Sequence, residues 1–252
     1  MQGSKRIDGT VALVTGANRG LGRAITEALL ERGATKVYAA ARDPETLAGL
    51  GRRHGSRLVA ARMDVTDAEQ VAAVAGRATD VDLVVNNAGA YRPTDLVDEA
   101  IVEVARREME VNYFGVLRVL RAFAGTLAAR GGVLVNVGSA AGLSNVPLQP
   151  TYSASKAAQR SLTQAARALL AGRGVTVHGV YPGPIDTEMV KDLPPQFEKT
   201  PPADVAAAIL DGIEAGDDDI FPDAFATIIG KQFHESPKEL ERQLAALVAG
   251  PA

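Results

Sequence analysis

A tyrosine and a lysine four residues apart offer the clearest acid–base chemistry in the chain. Tyr152 and Lys156 stand at the ends of the run Tyr-Ser-Ala-Ser-Lys. A helix places residues i and i+4 on one face, with Cβ atoms about 5–6 Å apart. An ammonium near a phenol favours the phenolate and lowers the tyrosine pKa toward the range of an acid–base catalyst. Exposed surface pairs share this spacing, so the interpretation needs support elsewhere in the chain.

A serine could complete such a site. Ser139 lies just past an apolar run at residues 132–137, which predicts a buried strand. Open α/β sheets bind their ligands at the carboxyl ends of parallel strands. A hydroxyl at that place can donate a hydrogen bond to a substrate carbonyl. The alternative is an ordinary turn serine.

A glycine-rich segment near the N-terminus is suited to phosphate. The run Thr15-Gly-Ala-Asn-Arg-Gly-Leu-Gly22 lies between a predicted strand and a predicted helix. Glycines let the backbone approach a phosphate, and a helix N-terminus offers free N–H groups and partial positive charge. The spacing G-x-x-x-G-x-G differs from the usual G-x-G-x-x-G. A connection without a ligand therefore remains the alternative for this motif taken alone.

The elements that must position these groups alternate between two periodicities. Short β-branched runs predict strands at residues 10–15, 36–41, 57–61, 82–86, 132–137, 175–180 and 219–221. Segments with helical periodicity separate them, at residues 20–32, 44–53, 67–77, 101–130, 152–171 and 202–215. This alternation predicts an α/β fold, a Rossmann-like, doubly wound parallel sheet of seven strands with helices on both faces. Residues 224–252 predict one or two further helices.

Composition narrows the class of protein. The chain has 252 residues, 46% of them apolar, no cysteine and a net charge of −3. We predict one domain over residues 5–252, with a short substrate loop at about 183–201. The absence of cysteine excludes a thiolate nucleophile and a sulfur zinc site, and the three histidines are scattered, so no metal is expected. The sequence has no block of basic residues, so nucleic acid is not expected as a partner. It also has no apolar run long enough for a membrane helix and no secretory signal, so neither a membrane nor secretion is expected. A cytoplasmic protein is expected.

Taken together, the motifs are similar to those of the short-chain dehydrogenase/reductase family, in its compact single-domain branch. The resemblance covers about residues 5–221 and rests on motifs in the family's order. They are Thr15-Gly-x-x-x-Gly-x-Gly22, Asp64-Val65, Asn86-Asn-Ala-Gly89, Asn112, Ser139, Tyr152-x-x-x-Lys156 and Pro182-Gly183.

The resemblance implies a role for each catalytic position. Tyr152 would protonate a carbonyl oxygen as hydride reaches the carbon, and Ser139 would orient that carbonyl. Lys156 would hold the nicotinamide ribose and lower the tyrosine pKa, and Asn112 would stabilise a water in a proton relay. The apolar periodicity around Asn112 independently predicts that its side chain faces the sheet, where a buried amide needs partners.

The resemblance also implies the cofactor site. Its residues come from the glycine loop, the ends of the second to fourth strands, the catalytic helix and the Pro-rich loop: Gly16, Asn18, Arg19, Gly20, Leu21, Gly22, Arg42, Asp64, Val65, Asn87, Ala88, Gly89, Tyr152, Lys156, Pro182, Gly183, Ile185 and Thr187.

NADP(H) is predicted rather than NAD(H). NAD-binding proteins usually carry an acid near the end of the second strand, where it binds the ribose hydroxyls. Ala41 occupies that place here. Arg42 and Arg19 would lie around the ribose and could grip a 2′-phosphate. The alternative is that both arginines are solvated and that Asp43 turns toward a ribose hydroxyl.

The predicted reaction transfers hydride between the nicotinamide and a ketone, aldehyde or secondary alcohol. The predicted pocket is mostly apolar, which favours an uncharged, hydrophobic substrate: Tyr91, Leu143, Val146, Pro147, Leu148, Met189, Val190, Leu193 and Phe197. Alternatives are a reductase of carrier-bound 3-oxoacyl or polyketide substrates, and a non-catalytic NADP-binding regulator. Alanine-rich helix faces, together with the resemblance, predict a homo-oligomer, a tetramer or otherwise a dimer.

Overall fold

The order of the strands places a ligand crevice at the carboxyl ends of the central strands. The computed structural model describes residues 6–193 and 197–249, and within them seven parallel strands form one sheet in the order β3-β2-β1-β4-β5-β6-β7. The strands are β1 (Val11–Thr15), β2 (Lys36–Ala41), β3 (Leu58–Arg62), β4 (Leu83–Asn86), β5 (Val133–Val137), β6 (Thr176–Val180) and β7 (Asp219–Ile220). The winding reverses between β1 and β4, so a crevice opens at their carboxyl ends. The predicted sheet is confirmed. The ends of the predicted domain, at Lys5 and residues 250–252, lie outside the described residues.

Helices cover both faces of this sheet. They are α1 (Gly20–Glu31), α2 (Ala48–His54), α3 (Ala68–Arg77), α4 (Ile101–Met109), α5 (Val116–Arg130), α6 (Pro150–Ala171), α7 (Pro202–Ala215), α8 (Ala224–Glu235) and α9 (Pro237–Ala249). The tail therefore forms two helices. None of the helices in the described part of the chain is long and apolar enough to cross a membrane.

Two apolar layers, one on each face, explain why the strands are apolar throughout. On one face Ile25 and Ile209, from α1 and α7, pack against β1 residue Val14. On the other, Phe123 of α5 packs in a cluster with Leu13 of β1. Alternate residues of one strand thus enter different cores, as expected for a sheet buried on both sides.

The long helix predicted at residues 101–130 is interrupted. A π-helical segment at Glu110–Gly115 separates α4 from α5. A π turn inserts one extra residue and shifts the faces of the helix on either side of it. Gly115 closes this segment against Val65, whose side chain leaves no room for a Cβ. The chain is helical over the whole predicted range, but the π-helical segment was not predicted, because no Pro or Gly–Ser pair in the sequence signals such an insertion.

Smaller differences occur at two other helix starts. The helix predicted from Pro44 begins with a separate 3₁₀ turn at Pro44–Leu47, for which Asp43 provides the cap. Helix α6, which carries Tyr152 and Lys156, begins at Pro150, two residues earlier than predicted, because proline suits the first turn of a helix.

Candidate active site

The loop between β1 and α1 needs its glycines for conformation and for space. Gly16 and Gly20 have φ values of +64° and +52°, in the left-handed region that glycine tolerates. A Cβ on Gly22 would overlap the Gly16 carbonyl oxygen. Leu21 is buried, Asn18 is half-buried and Arg19 is exposed. The loop is therefore a tight turn with its backbone open toward the crevice.

The N-terminus of α1 is suited to an anion. No side chain caps it, and the first turn contains no acidic residue. Uncapped N–H groups and the helix dipole favour negative charge at that end. Thr187 lies over the loop, since a Cβ on Gly20 would approach its methyl group to 3.2 Å. These features fit the pyrophosphate of a dinucleotide.

The end of β4 holds the glycine loop in place. The Asn87 side-chain amide donates to the Thr15 carbonyl oxygen at 2.9 Å. The Thr15 hydroxyl oxygen in turn accepts from the backbone N–H groups of Asn87 and Ala88, each at 2.9 Å. Gly89 follows as an exposed residue beside the crevice. Asn87 and Ala88 thus position the loop through their own hydrogen bonds.

The ends of β2 and β3 form the far side of the crevice. Asp64 accepts hydrogen bonds from the Thr66 N–H and hydroxyl, at 2.9 and 2.8 Å. Burial raises the pKa of Asp64, but these hydrogen bonds and the charges of Arg107 and Arg42 outweigh it and hold the pKa below its usual range. Arg42 therefore lies near Asp64. Val65 is buried.

The candidate catalytic group lies where β5 ends and α6 begins. Ser139 follows β5, and its Oγ accepts from the Ala141 N–H at 3.2 Å. Tyr152 lies in the first turn of α6, where a hydrogen bond with the Ser139 side chain acts to lower its pKa. Lys156 follows one turn later, with Nζ 5.7 Å from the centre of the Tyr152 ring. The structure brings these three predicted residues together.

Burial dominates the ionisation of this group. It raises the pKa of Tyr152 to about 12 and lowers the pKa of Lys156 to about 7. Lys156 Nζ donates to the Val137 carbonyl oxygen at 3.0 Å and to Gln159 Oε1 at 2.9 Å. These hydrogen bonds direct the amine toward β5 rather than toward the phenol, and the lowering of the tyrosine pKa by the lysine stays a prediction.

Asn112 lies in the π-helical segment and is fully buried. Its Oδ1 accepts from Ala90 N at 2.8 Å, and its Nδ2 donates to Ala90 O and to Ser155 Oγ, both at 2.9 Å. The amide thus joins the segment after β4 to α6, within one residue of Lys156. Its predicted orientation toward the sheet agrees with this position.

A buried polar network, which was not predicted from the sequence, continues from Lys156. Gln159 Nε2 donates to the Val137 carbonyl oxygen at 3.2 Å, and the Gln159 carbonyl accepts from Thr163. Asn136 links Thr163 to Asn86 on β4. The available signal was the position of Gln159 and Thr163 on the same helical face as Lys156, at intervals of three and four residues.

A mostly apolar cavity opens beside Tyr152. Its lining includes the predicted residues Tyr91, Val146, Leu148, Met189, Val190, Leu193 and Phe197. Leu143 and Pro147, also predicted, do not line it, and Leu143 instead packs against Ala140 and the C-terminal helices. The loop prediction at 183–201 includes residues 194–196, which lie outside the described residues.

The C-terminal helices contribute a wall that sequence reasoning missed. Phe225 and Ile229 of α8 and Leu244 and Leu247 of α9 line the cavity. No local motif marks such residues, because their place depends on how the tail folds back over the sheet edge.

The loop after β6 connects that wall to the crevice. Gly183 N donates to Asp223 Oδ2 at 2.8 Å, while Asp223 Oδ1 caps α8 by accepting from Ala226 N. Pro182 is buried, and its carbonyl accepts from Ala140 beside Ser139. Ile185 packs against the core of the α1 face. The loop predicted to hold a nicotinamide is thereby fixed between Ser139 and α8.

A dinucleotide crevice and an adjoining Ser–Tyr–Lys group define a nicotinamide-dependent oxidoreductase of the Rossmann type. Residues 10–198 match the family model described as short chain dehydrogenase. The chain belongs to this family, which confirms the predicted class of enzyme, an oxidoreductase acting on CH–OH and C=O groups.

Relatives show how the family varies. The chain is 36% identical over 217 residues to a 3-oxoacyl-[acyl-carrier-protein] reductase of Vibrio harveyi, covering 83% of this chain and 84% of the relative. It is 39% identical over 228 residues to an L-tagatose-forming galactitol 2-dehydrogenase of Cereibacter sphaeroides, covering 81% and 88%. Substrate choice therefore differs among proteins of similar identity to this one.

A solved structure agrees with the fold in detail. A short chain dehydrogenase from Burkholderia cenocepacia, in complex with NADP, is 43% identical and superposes with a TM-score of 0.89. The match covers 95% of this chain and 99% of that one. The presence of NADP in that protein agrees with the cofactor predicted from the sequence.

Proposed function

We propose that the protein is an NADP(H)-dependent carbonyl reductase for uncharged, hydrophobic ketones or aldehydes. One observation carries the proposal: Ser139 and Tyr152 line an apolar cavity at the carboxyl ends of the strands, where the glycine loop also lies. A carbonyl in that cavity would lie between the two hydroxyls and the crevice that fits a dinucleotide. The activity would be reversible, with a secondary alcohol as the substrate of the opposite direction.

Each residue then has a chemical task. The reduced nicotinamide, when bound, supplies hydride to the carbonyl carbon. Ser139 donates a hydrogen bond that orients the carbonyl oxygen, and Tyr152 gives that oxygen a proton. Lys156 holds the nicotinamide ribose and Asn112 fixes the backbone around it. A phenol with a pKa of about 12 is fully protonated near neutral pH, as this direction requires.

The nature of the cavity supports the substrate class. Its lining residues in the described part of the chain include no charged side chain. A carboxylate or phosphate ester would find no compensating charge there, and burying an unpaired charge is costly. An apolar ketone or aldehyde fits this environment.

One rival is favoured by a specific observation. The Vibrio harveyi relative acts on 3-oxoacyl groups carried by a protein, so a carrier-bound substrate is the second candidate. Oxidation of reduced cofactor should be followed over a panel of ketones, aldehydes and a 3-oxoacyl thioester. Preference for the thioester would favour the rival, and cofactor binding without turnover of any compound would favour a non-catalytic regulator.

The cytoplasmic location stays a prediction.

We expect a clear preference for NADPH over NADH. Arg19 and Arg42 are exposed and form no ion pair within the described ranges, so both are available to a 2′-phosphate. Asp43 is engaged elsewhere, since its Oδ1 accepts from Glu45 N at 3.1 Å. Arg42→Ala should lower kcat/KM for NADPH by about tenfold or more and leave that for NADH nearly unchanged, because hydrogen bonds to charged groups contribute about 1.5–3 kcal/mol.

Comparison of both cofactors in wild type and variant checks this preference. Arg53→Ala is the matched control, since Arg53 is an exposed arginine of α2 that pairs with Glu27. Equal or better use of NADH by the wild type would refute the preference. An unchanged cofactor ratio in Arg42→Ala would remove Arg42 from the role.

A homo-oligomer is expected in solution, as a tetramer or otherwise a dimer. The exposed face of α6 carries the small residues Ala154, Ala157, Ala165 and Ala168. Beside it Phe114 and Val102 are 43% and 51% exposed. Small side chains permit close helix approach and exposed apolar ones gain from burial. Light scattering at micromolar concentration checks this, and a mass near 26.3 kDa would contradict it.

A further inference from the structure

Glu108 is a buried acid that the proposed chemistry does not use. It lies near the end of α4 and is 1% exposed. Burial raises the pKa of its carboxyl. A buried carboxyl is costly unless its oxygens are hydrogen-bonded, so its contacts should explain why it is there.

Those contacts reach the neighbours of both active-site tyrosines. Oε1 accepts a hydrogen bond from Arg92 N at 3.1 Å, directly after Tyr91. The hydroxyl of Thr151, directly before Tyr152, lies near enough to the carboxyl to counteract the rise in its pKa. The two groups do not meet hydrogen-bond geometry, and Oε2 and the Thr151 hydroxyl are buried without a geometric partner among the described residues. Glu108 therefore lies between the two chain segments that carry the phenols.

The phenols themselves are in contact. The rings of Tyr91 and Tyr152 pack edge to face, with centroids 5.2 Å apart. Such a pair contributes about 0.5–1.5 kcal/mol beyond the area that it buries. Both rings belong to the lining of the cavity beside Ser139.

Side-chain hydrogen bonds, rather than a helix or strand, hold the backbone on either side of Tyr91. Residues 87–95 contain no helix or strand. Asn112 binds both backbone groups of Ala90, and Glu108, one turn earlier on the same side of the helix, binds Arg92. The two side chains hold the residues on either side of Tyr91, which leaves its ring directed at Tyr152.

We propose that Glu108 is a positioning residue for the reaction, which holds Tyr91 edge-on against Tyr152 through the backbone of Arg92. The inference rests on the proposed function, because the packed pair matters only if Tyr152 is the proton donor. The carboxylate acts as a hydrogen-bond acceptor, and no proton or electron passes through it.

The role requires an acceptor rather than a charge, so two substitutions should differ. Glu108→Gln keeps an oxygen for Arg92 and should retain kcat within about threefold. Glu108→Leu removes the acceptor and should lower kcat by about tenfold or more, with NADPH affinity unchanged within about twofold. Glu103→Gln is the control, since Glu103 is an exposed residue of α4 that pairs with Arg106. Wild-type activity in the Glu108→Leu variant would overturn the proposal, as would a folded Glu108→Gln variant that loses as much kcat as Glu108→Leu.

A double-mutant cycle tests whether Glu108 acts through Tyr91. If it does, Glu108→Leu combined with Tyr91→Leu should lower kcat no further than the stronger single substitution, because both remove the same packing. Independent, additive losses would contradict the proposal. If the Glu108→Leu variant does not fold, Glu108→Gln carries the test, and a folded Glu108→Gln variant with kcat lowered by about tenfold or more would overturn the proposal.

A spectroscopic measurement separates this inference from the proposed function. The chain has five tyrosines and no tryptophan, so near-ultraviolet circular dichroism reports mainly tyrosine packing. Glu108→Leu should change the tyrosine band as Tyr91→Leu does, while Glu108→Gln should preserve it. An unchanged band in Glu108→Leu would overturn the positioning role. If the variants show these bands but the wild type turns over no carbonyl compound, the result would count against the proposed function alone.

Discussion

Tyr152→Phe is expected to lower kcat for carbonyl reduction by at least about a hundredfold, while NADPH binds as in the wild type. General acid catalysis contributes about 10²–10⁴ in rate, and the substitution removes the hydroxyl proposed as the proton donor. Phenylalanine keeps the ring that packs against Tyr91, so the cavity should retain its shape. The measurements are kcat with a responsive ketone and the dissociation constant of NADPH from its fluorescence.

The control for this experiment is Tyr38→Phe. Tyr38 lies on β2 and is not part of the cavity lining, and its hydroxyl donates to Asp80 Oδ1 at 2.8 Å. That variant should keep wild-type turnover. Retention of a tenth or more of wild-type kcat by Tyr152→Phe, a loss of about 1.4 kcal/mol or less, would show that another group supplies the proton.

The pH dependence of reduction should follow from the same environment. Because burial raises the pKa of Tyr152 to about 12, the donor stays protonated through the neutral and mildly alkaline range. Lys156 loses its charge nearer pH 7, since burial lowers its pKa to about 7. The phenol is therefore not expected to cause a change in rate near neutral pH, whereas Lys156 titrates in that range.

The sequence predicted the parts of the site that depend on local pattern. Gly22 has to be glycine for a local steric reason, and Ser139 follows a strand whose apolar run is visible in the sequence. Spacing within one helix related Tyr152 to Lys156. Such relations involve residues close in the chain, so periodicity and turn chemistry are enough to place them.

Parts that depend on packing between distant segments were not predictable. The contacts of Glu108 and of the π-helical segment form only because the chain after β4 folds against α4. The cavity wall from Phe225 and Leu244 requires α8 and α9 to fold back over the sheet edge. The raised pKa of Tyr152 was not predicted either, because its main cause is burial, which depends on the packing of distant segments.

Lys156→Met is expected to weaken NADPH binding and remove turnover, and to change how stability depends on pH. In the folded protein Lys156 releases its proton near pH 7, whereas in the unfolded chain it keeps the proton to about 10.5. Between these values the unfolded state binds more protons, so the contribution of this residue to the free energy of unfolding rises with pH. Methionine does not titrate and lacks this contribution.

The difference in unfolding free energy between wild type and Lys156→Met should therefore grow in favour of the wild type by about 2 kcal/mol from pH 7 to pH 9, at most about 1.4 kcal/mol per pH unit. Denaturant unfolding without added nucleotide measures it at each pH. Lys231→Met is the matched control, since Lys231 is an exposed lysine of α8 beside Glu235, and it should show no such trend. A constant difference across this range would mean that Lys156 keeps its charge when buried, and the ammonium would then be available to lower the Tyr152 pKa after all.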